Sequence, residues 1–146
     1  MTLTNGISQT EISIDEFEGW GKAPETIDII IKTGKADDFD KLIEKLYPNG
    51  IREIQLNDLL RFDDTWIYES LGITKSYKLS VYNIEYEVDE DEDEENLPKS
   101  MTLELEDVEI DENDENLKNA IVEAIETETG NSVVDYDYTI IEEEYE

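Results

Sequence analysis

The sequence predicts an α+β protein: a small N-terminal helical module, then an acidic β-β-α-β module whose antiparallel sheet carries one helix on a face. Three observations predict it. Up to about residue 76 the apolar residues recur at helical spacing between proline and glycine punctuation. From residue 77 they alternate with charged residues in strand fashion, around one long helical stripe. The charge changes in the same region: residues 1–78 hold 15 acids and 9 bases, whereas residues 79–146 hold 26 acids and only Lys99 and Lys118 as bases. The predicted modules are 1–76 and 77–146, with the sharing of one core left open.

The first helix is read in "GKAPETIDIIIKTGK". Pro24 suits a first turn, Glu25 and Asp28 favour the positive end of the helix dipole, Lys32 suits the last turn and Gly34 stops it. Ile27, Ile30 and Ile31 follow i, i+3, i+4; a strand through the β-branched "IDIIIK" is the competing reading. "ADDFDKLIEKLYPNG" gives a second helix with Phe39, Leu42, Ile43 and Leu46 as its stripe. "QLNDLLRF" gives a third with Leu56, Leu59 and Leu60 inward. "DDTWIYESLG" gives a fourth, capped by Asp63 or Asp64 and stopped at Gly72. The last two resemble a helix-turn-helix in spacing. The second of them has three acids and no base, so DNA binding is disfavoured.

In "SYKLSVYNIEYEV" the alternation places Tyr82, Ile84, Tyr86 and Val88 on one face and Asn83, Glu85 and Glu87 on the other. In "MTLELEDVEI", Leu103 and Leu105 oppose Glu104 and Glu106, and the phase then slips to Val108 and Ile110. One extra residue near Glu106 or Asp107 makes a β-bulge there. "NDENLKNAIVEAIETETGN" is the strongest helix, with Leu117, Ala120, Ile121, Ala124 and Ile125 as its stripe and Gly130 beyond its end. "SVVDYDYTII" returns to strand, with Val134, Tyr136, Tyr138 and Ile140 alternating against Asp135, Asp137 and Thr139. Between the first two strands runs "DEDEDEE", Asp89, Glu90, Asp91, Glu92, Asp93, Glu94 and Glu95, too charged to be anything but a loop.

Composition excludes much chemistry. The 146 residues contain no cysteine and no histidine. Disulfides, thiolate nucleophiles and Ser-His or Cys-His pairs are therefore impossible, and no catalytic activity is predicted. No glycine-rich phosphate loop is present. "DENDENLKNAIVE" begins with the first ligand spacings of a calcium loop at Asp111, Asn113 and Glu115. It has Asn116 where the turn glycine belongs and Val122 where the bidentate glutamate belongs, so no metal or other cofactor is predicted. The N-terminus lacks a signal-peptide pattern and no apolar run reaches the roughly 20 residues of a membrane helix, so a cytoplasmic, membrane-free protein is expected.

What remains is charge. The formal net charge is −30, which repels nucleic acid and attracts basic surfaces. Side chains i and i+2 on a strand stand about 6.6 Å apart on one face, on the scale of neighbouring phosphates. Glu85 and Glu87, Glu104 and Glu106, and Asp135 and Asp137 form such rows, extended by the 89–95 run and the tail "EEEYE". Exposed acids of this kind also serve simply as solubilising surface. Read as a working surface, the residues are Glu85, Glu87, residues 89–95, Glu104, Glu106, Asp107 and Glu109. The partner is a basic nucleic-acid-binding protein rather than nucleic acid itself.

"KADDFDKLIEKLYPNGIREIQLNDLLRFDDTWIYESLGI" resembles a module of small acidic proteins encoded by phages and conjugative elements of Gram-positive bacteria. "YNIEYEVDEDEDEENLPKSMTLELEDVEI", with the following helix and "TGNSVV", is similar to a second module of such elements. Together they span about three-quarters of the chain. The resemblance implies an anti-CRISPR role: an inhibitor that blocks a guide-loaded type II CRISPR effector nuclease by occupying its PAM-reading site as a DNA mimic. The alternative is a non-inhibitory accessory module that binds through its helical half, with Trp20, Trp66 and Tyr68 as contacts.

Overall fold

The computed structural model describes residues 1–88 and 96–146. It is an α+β fold with five α-helices and two antiparallel sheets among the described residues. The chain divides into two compact units, Met1–Ile73 and Thr74–Glu146. The first holds 15 acids and seven bases, net −8; the second holds 26 acids and four bases, net −22.

The first unit opens with a hairpin that the sequence pattern did not signal. Strand β1 (Thr2–Thr4) pairs antiparallel with β2 (Gln9–Glu11). Asn5 builds the turn: its Oδ1 accepts from the Ile7 and Ser8 N–H groups at 3.0 and 2.8 Å, an Asx turn. Strands of three residues carry no readable alternation, so tertiary contacts hold this one. Ile51 N–H donates to the Thr2 carbonyl and Thr4 N–H to that of Ile51, each at 2.9 Å.

Four helices follow: α1 (Ala23–Lys32), α2 (Ala36–Leu46), α3 (Glu53–Phe62) and α4 (Asp64–Leu71). The isoleucine-rich segment is thus a helix, with Ile27 and Ile30 buried and Ile31 exposed. Helix α3 begins two residues before the "QLNDLLRF" boundary, because Gln55 Oε1 accepts the Arg52 N–H at 3.2 Å and closes its first turn. Gly72 ends α4 at φ 70°, a left-handed cap that favours glycine. Two polar side chains sit in the core. Asn57 Oδ1 accepts the Trp20 N–H at 3.0 Å, and the Thr26 hydroxyl donates to the Leu60 carbonyl at 2.8 Å.

The second unit is a three-stranded sheet with one helix. Strand β3 (Thr74–Tyr86) lies between β4 (Met101–Glu109) and β5 (Val133–Tyr145), antiparallel to both. Helix α5 (Glu115–Thr129) connects β4 to β5. Its Leu117, Ile121 and Ile125 pack on Tyr77, Leu79, Val81, Ile84, Leu103 and Val108 of the sheet. Burying such residues supplies about 1.5–3 kcal/mol each before the entropy of ordering is subtracted.

Register slips correct or bear out the predicted phases; on β5 they fall opposite Lys78/Leu79, Tyr82/Glu85 and Glu85/Tyr86. The pairing slips between Lys75 and Tyr77 opposite Val108 and Leu105, and Asp107 there has φ 54°; this is the bulge expected near Glu106 or Asp107. A second bulge was not anticipated. Asn83 has φ 52° and the pairing with β5 slips between Tyr82 and Glu85. The inward set is therefore Tyr77, Leu79, Val81, then Ile84 and Tyr86. Tyr82 belongs to the opposite face, at 38 % exposure. Alternation counted forward from Tyr82 misplaced it, because an inserted residue reverses side-chain facing. On β5 the same effect turns Val134 outward while Val133 packs on the core. Among the described residues no helix is long and apolar enough to cross a membrane.

Candidate functional site

Residues that pair directly across strands share a face, so the pairing register assigns the side opposite α5. Across one row Glu104 pairs with Lys78 and Lys78 with Glu142. In the next row toward the sheet end Ser76 pairs with Glu144, beside the Glu106–Asp107 bulge. Thr74 pairs with Glu109. Toward the other end, Ser80 lies between Thr102 and Thr139, and Tyr82 pairs with Asp137 and Glu85 with Asp135. All of these acids are exposed.

The face is therefore two acidic patches separated by a band of hydroxyls. Glu104, Glu106, Glu142 and Glu144 surround Lys78 and Ser76. Asp137, Glu85 and Asp135 form the second patch, which begins about four strand residues or roughly 13 Å from Lys78 and extends to about seven residues or roughly 20 Å. Between them the Tyr82 hydroxyl lies 3.3 Å from Thr139 Oγ1. Asn83 Nδ2 donates to Asp137 Oδ2 at 2.9 Å, so the bulge orients one acid of the second patch. Glu87 follows β3 beyond Glu85, its N–H donating to the Ser132 carbonyl at 2.8 Å.

Of the residues singled out from sequence, Glu104, Glu106 and Glu109 lie along β4, and Glu85 and Glu87 lie at the far end of β3. Asp107 occupies the bulge. Asp89, Glu90, Asp91, Glu92, Asp93, Glu94 and Glu95 lie outside the described residues. Glu142 and Glu144 read as tail in the sequence. In the fold they belong to β5 and complete the patch around Lys78, because β3 pairs with β5 all the way to Tyr145. The sequence did not signal this: alternation continued from Tyr138 and Ile140 places Glu142 and Glu144 on the helix side, and the register slip between Lys78 and Leu79, which leaves Ile141 unpaired, turns them to the acidic face.

The helix side of the same sheet end is built differently. Lys75 Nζ lies 3.5 Å from Glu143 Oε2, 4.4 Å from the Tyr145 ring centroid and 5.9 Å from that of Tyr77. Burial works against the Lys75 charge, yet the hydrogen bond to Tyr145 and the nearby acidic groups raise its pKa above the ordinary 10.5. Burial pushes the Tyr77 hydroxyl up to about 12, with Lys75 opposing and Asp114 and Glu143 adding to the rise. This cluster pins the end of β5 to β3 and leaves Lys78 facing the acidic side.

Among the described residues no group of three or more acidic side chains is arranged to hold a metal ion. Asp111 of the calcium-loop-like segment is otherwise engaged. Its Oδ2 accepts from the Glu115 and Asn116 N–H groups at 3.0 and 3.3 Å, satisfying donors at the start of α5. In the first unit Tyr68 is buried, so it offers no contact surface, whereas Trp20 and Trp66 are 43 % and 39 % exposed.

Comparison with family models, with curated proteins and with solved structures found no match to this chain.

Proposed function

We propose that this protein is an inhibitor that seats the acidic face of its β4-β3-β5 sheet in the basic nucleic-acid cleft of a partner protein, the partner being a guide-loaded type II CRISPR effector nuclease. One observation carries the reading: seven acids (Glu85, Glu104, Glu109, Asp135, Asp137, Glu142 and Glu144) pair into one sheet face around Lys78, with Glu106 at the adjoining bulge and Glu87 just beyond the end of β3. Carboxylates in rows pair with arginines that otherwise read phosphates and guanines. Displacing bound counterions from both surfaces gives such binding a steep salt dependence. The resemblance of the sequence to mobile-element proteins supports the choice of effector.

The test titrates the protein into a guide-loaded effector and follows target-DNA binding and cleavage at about 50 and about 200 mM salt, where electrostatic binding differs strongly. Loss of DNA binding at a stoichiometric ratio, weaker at high salt and abolished by combined Glu104→Lys, Glu106→Lys, Glu142→Lys and Glu144→Lys substitutions, is the expected result. DNA binding and cleavage that both persist at large excess reject this partner. Inhibition that survives the charge reversals rejects this surface.

A second reading keeps its own observation. Trp20, Ile54 and Phe62 of the first unit are 43 %, 67 % and 67 % exposed, and large exposed aromatics are the residues that anchor protein interfaces. An accessory module binding through that unit loses its partner on Trp20→Ala or Phe62→Ala and keeps it on the β-sheet charge reversals.

A further inference from the structure

Three features meet at the edge of β4. Strand β4 is an edge of the sheet. Thr74 and Glu146 exchange both backbone hydrogen bonds, at 3.0 and 2.8 Å. Antiparallel ladders alternate, so Ser76 and Lys78 also turn their backbone groups toward β5, and Tyr77, Leu79 and Val81 turn theirs toward β4. The Ile84 N–H bonded to the Lys99 carbonyl and the Glu87 N–H bonded to the Ser132 carbonyl continue this alternation beyond the Asn83 bulge. The β4 partners of Tyr77, Leu79 and Val81 are Leu105, Leu103 and Met101. Thr102 and Glu104 therefore present their N–H and C=O groups to the side of β4 that pairs with no strand among the described residues.

Beside that edge, a groove of about 530 Å³ runs between β4 and α5, with Leu105, Ala120 and Ala124 as its floor and Glu123 and Glu128 on its rim. A second hollow of about 320 Å³ shares Ala120 and Glu123 and reaches Glu106 and Asn116. The floor is apolar because alanines replace larger residues at two positions of the α5 stripe, leaving space that Leu105 does not fill. The Asp107 bulge ends the regular edge, a device that limits how far a guest strand can pair.

We infer that the β4 edge accepts an extended segment of a basic partner as an additional strand, its side chains alternating between apolar and basic. This rests on the proposal above that the partner is a basic protein. The apolar positions face Ala120 and Ala124. The basic positions lie beside Glu104 and Glu106 on the acidic face. Main-chain hydrogen bonds to Thr102 and Glu104 supply affinity and the alternating side chains supply specificity, as in other strand-addition complexes. A second copy of this chain is a poor occupant, since it would set Glu104 and Glu106 against the same acids of its neighbour.

The experiment uses the full chain and three probes: a short alternating valine–lysine peptide, oligolysine of equal charge, and the alternating peptide N-methylated on every second amide. Fluorescence anisotropy gives the affinities, and hydrogen exchange gives protection at Thr102 and Glu104. The alternating peptide is expected to bind about tenfold or more tightly than the other two, since they lose the strand hydrogen bonds or the apolar anchor. It is also expected to slow exchange at both amides. Ala120→Leu, which fills the groove, removes that advantage, and so does Thr102→Pro, which deletes an outward donor that β3 does not use. Equal affinity for all three probes with no change in exchange overturns strand docking while leaving the acidic-face reading standing. Failure of every probe, oligolysine included, overturns both. A dimer of this chain that protects the same amides without peptide assigns the edge to self-association and overturns the inference.

Discussion

Replacing Lys78 should move stability and partner binding in opposite directions. Lys78 stands between Glu104 and Glu142 on the exposed face. Opposite charges facing across strands contribute about 0.2–1 kcal/mol per pair, and exposed pairs lie toward the lower end of that range. Lys78→Ala removes a cation that faces two glutamates across the strands without a close ion pair to either, so the second unit should lose about 0.2–0.5 kcal/mol near physiological salt. The two glutamates left behind stand two strand spacings apart, about 9.6 Å. That exceeds the Debye length of about 8 Å at physiological ionic strength, so their mutual repulsion adds little. At about 10 mM salt the Debye length grows to about 30 Å, and the loss should increase. For a basic partner the change has the other sign. A repelling cation leaves the middle of an acidic patch, and under the proposed inhibitor function inhibition should tighten about two- to fivefold, the equivalent of about 0.5–1 kcal/mol. Urea unfolding at low and high salt reads the first effect, and titration against the effector–DNA complex reads the second. Lys78→Arg serves as the control and should change neither by much. A Lys78→Ala protein whose inhibition weakens would refute the acidic face as the contact surface. A stability loss unaffected by salt would refute the charge-row account of this position.

Three further expectations follow from the packing. Ile121 is fully buried between α5 and the sheet, and Ile121→Ala should cost about 2–5 kcal/mol in urea unfolding followed by a probe in the second unit. Asn57 is fully buried and bonded to the Trp20 backbone. Asn57→Ala leaves that N–H without its acceptor, and the first unit should lose about 1–3 kcal/mol, seen as a lower Tm in differential scanning calorimetry. Tyr77 holds its proton more tightly when folded, its pKa raised from 10.0 to about 12. The stability this contributes is complete below pH 10 and is lost as pH rises from 10 toward about 12. Unfolding free energy measured across that window should fall, and Tyr77→Phe should flatten the fall.

The five α-helices were legible because each carries its apolar stripe and its stop signals in a contiguous stretch. Gly72 and Gly130 mark the ends of α4 and α5 in sequence and adopt φ of 70° and 74° there. The sheet was legible in outline only. The Asp107 bulge shows in sequence, because Leu103, Leu105 and Val108 cannot share one face without an inserted residue. The Asn83 bulge does not, because Tyr82 and Ile84 both suit a strand interior. The β1–β2 hairpin depends on Ile51, some forty residues away, and no local pattern encodes that pairing.

The candidate site divides in the same manner. Composition and periodicity alone determined that the chemistry is that of carboxylates, without histidine, thiolate or phosphate loop, and that most of the charge lies in the second half of the chain. They placed Glu104 and Glu106 on the face opposite Leu103 and Leu105. Only the tertiary structure decided which acids meet. The register sets Glu142 opposite Lys78 and Glu144 opposite Ser76, separates Glu85 from Glu104 by most of the sheet length, and turns the backbone of Thr102 and Glu104 away from β3. Which strand becomes the centre and which become edges is settled by how the apolar face of three strands is covered by one helix. That is a non-local contest of burial, and the alternation within a single strand carries no record of it.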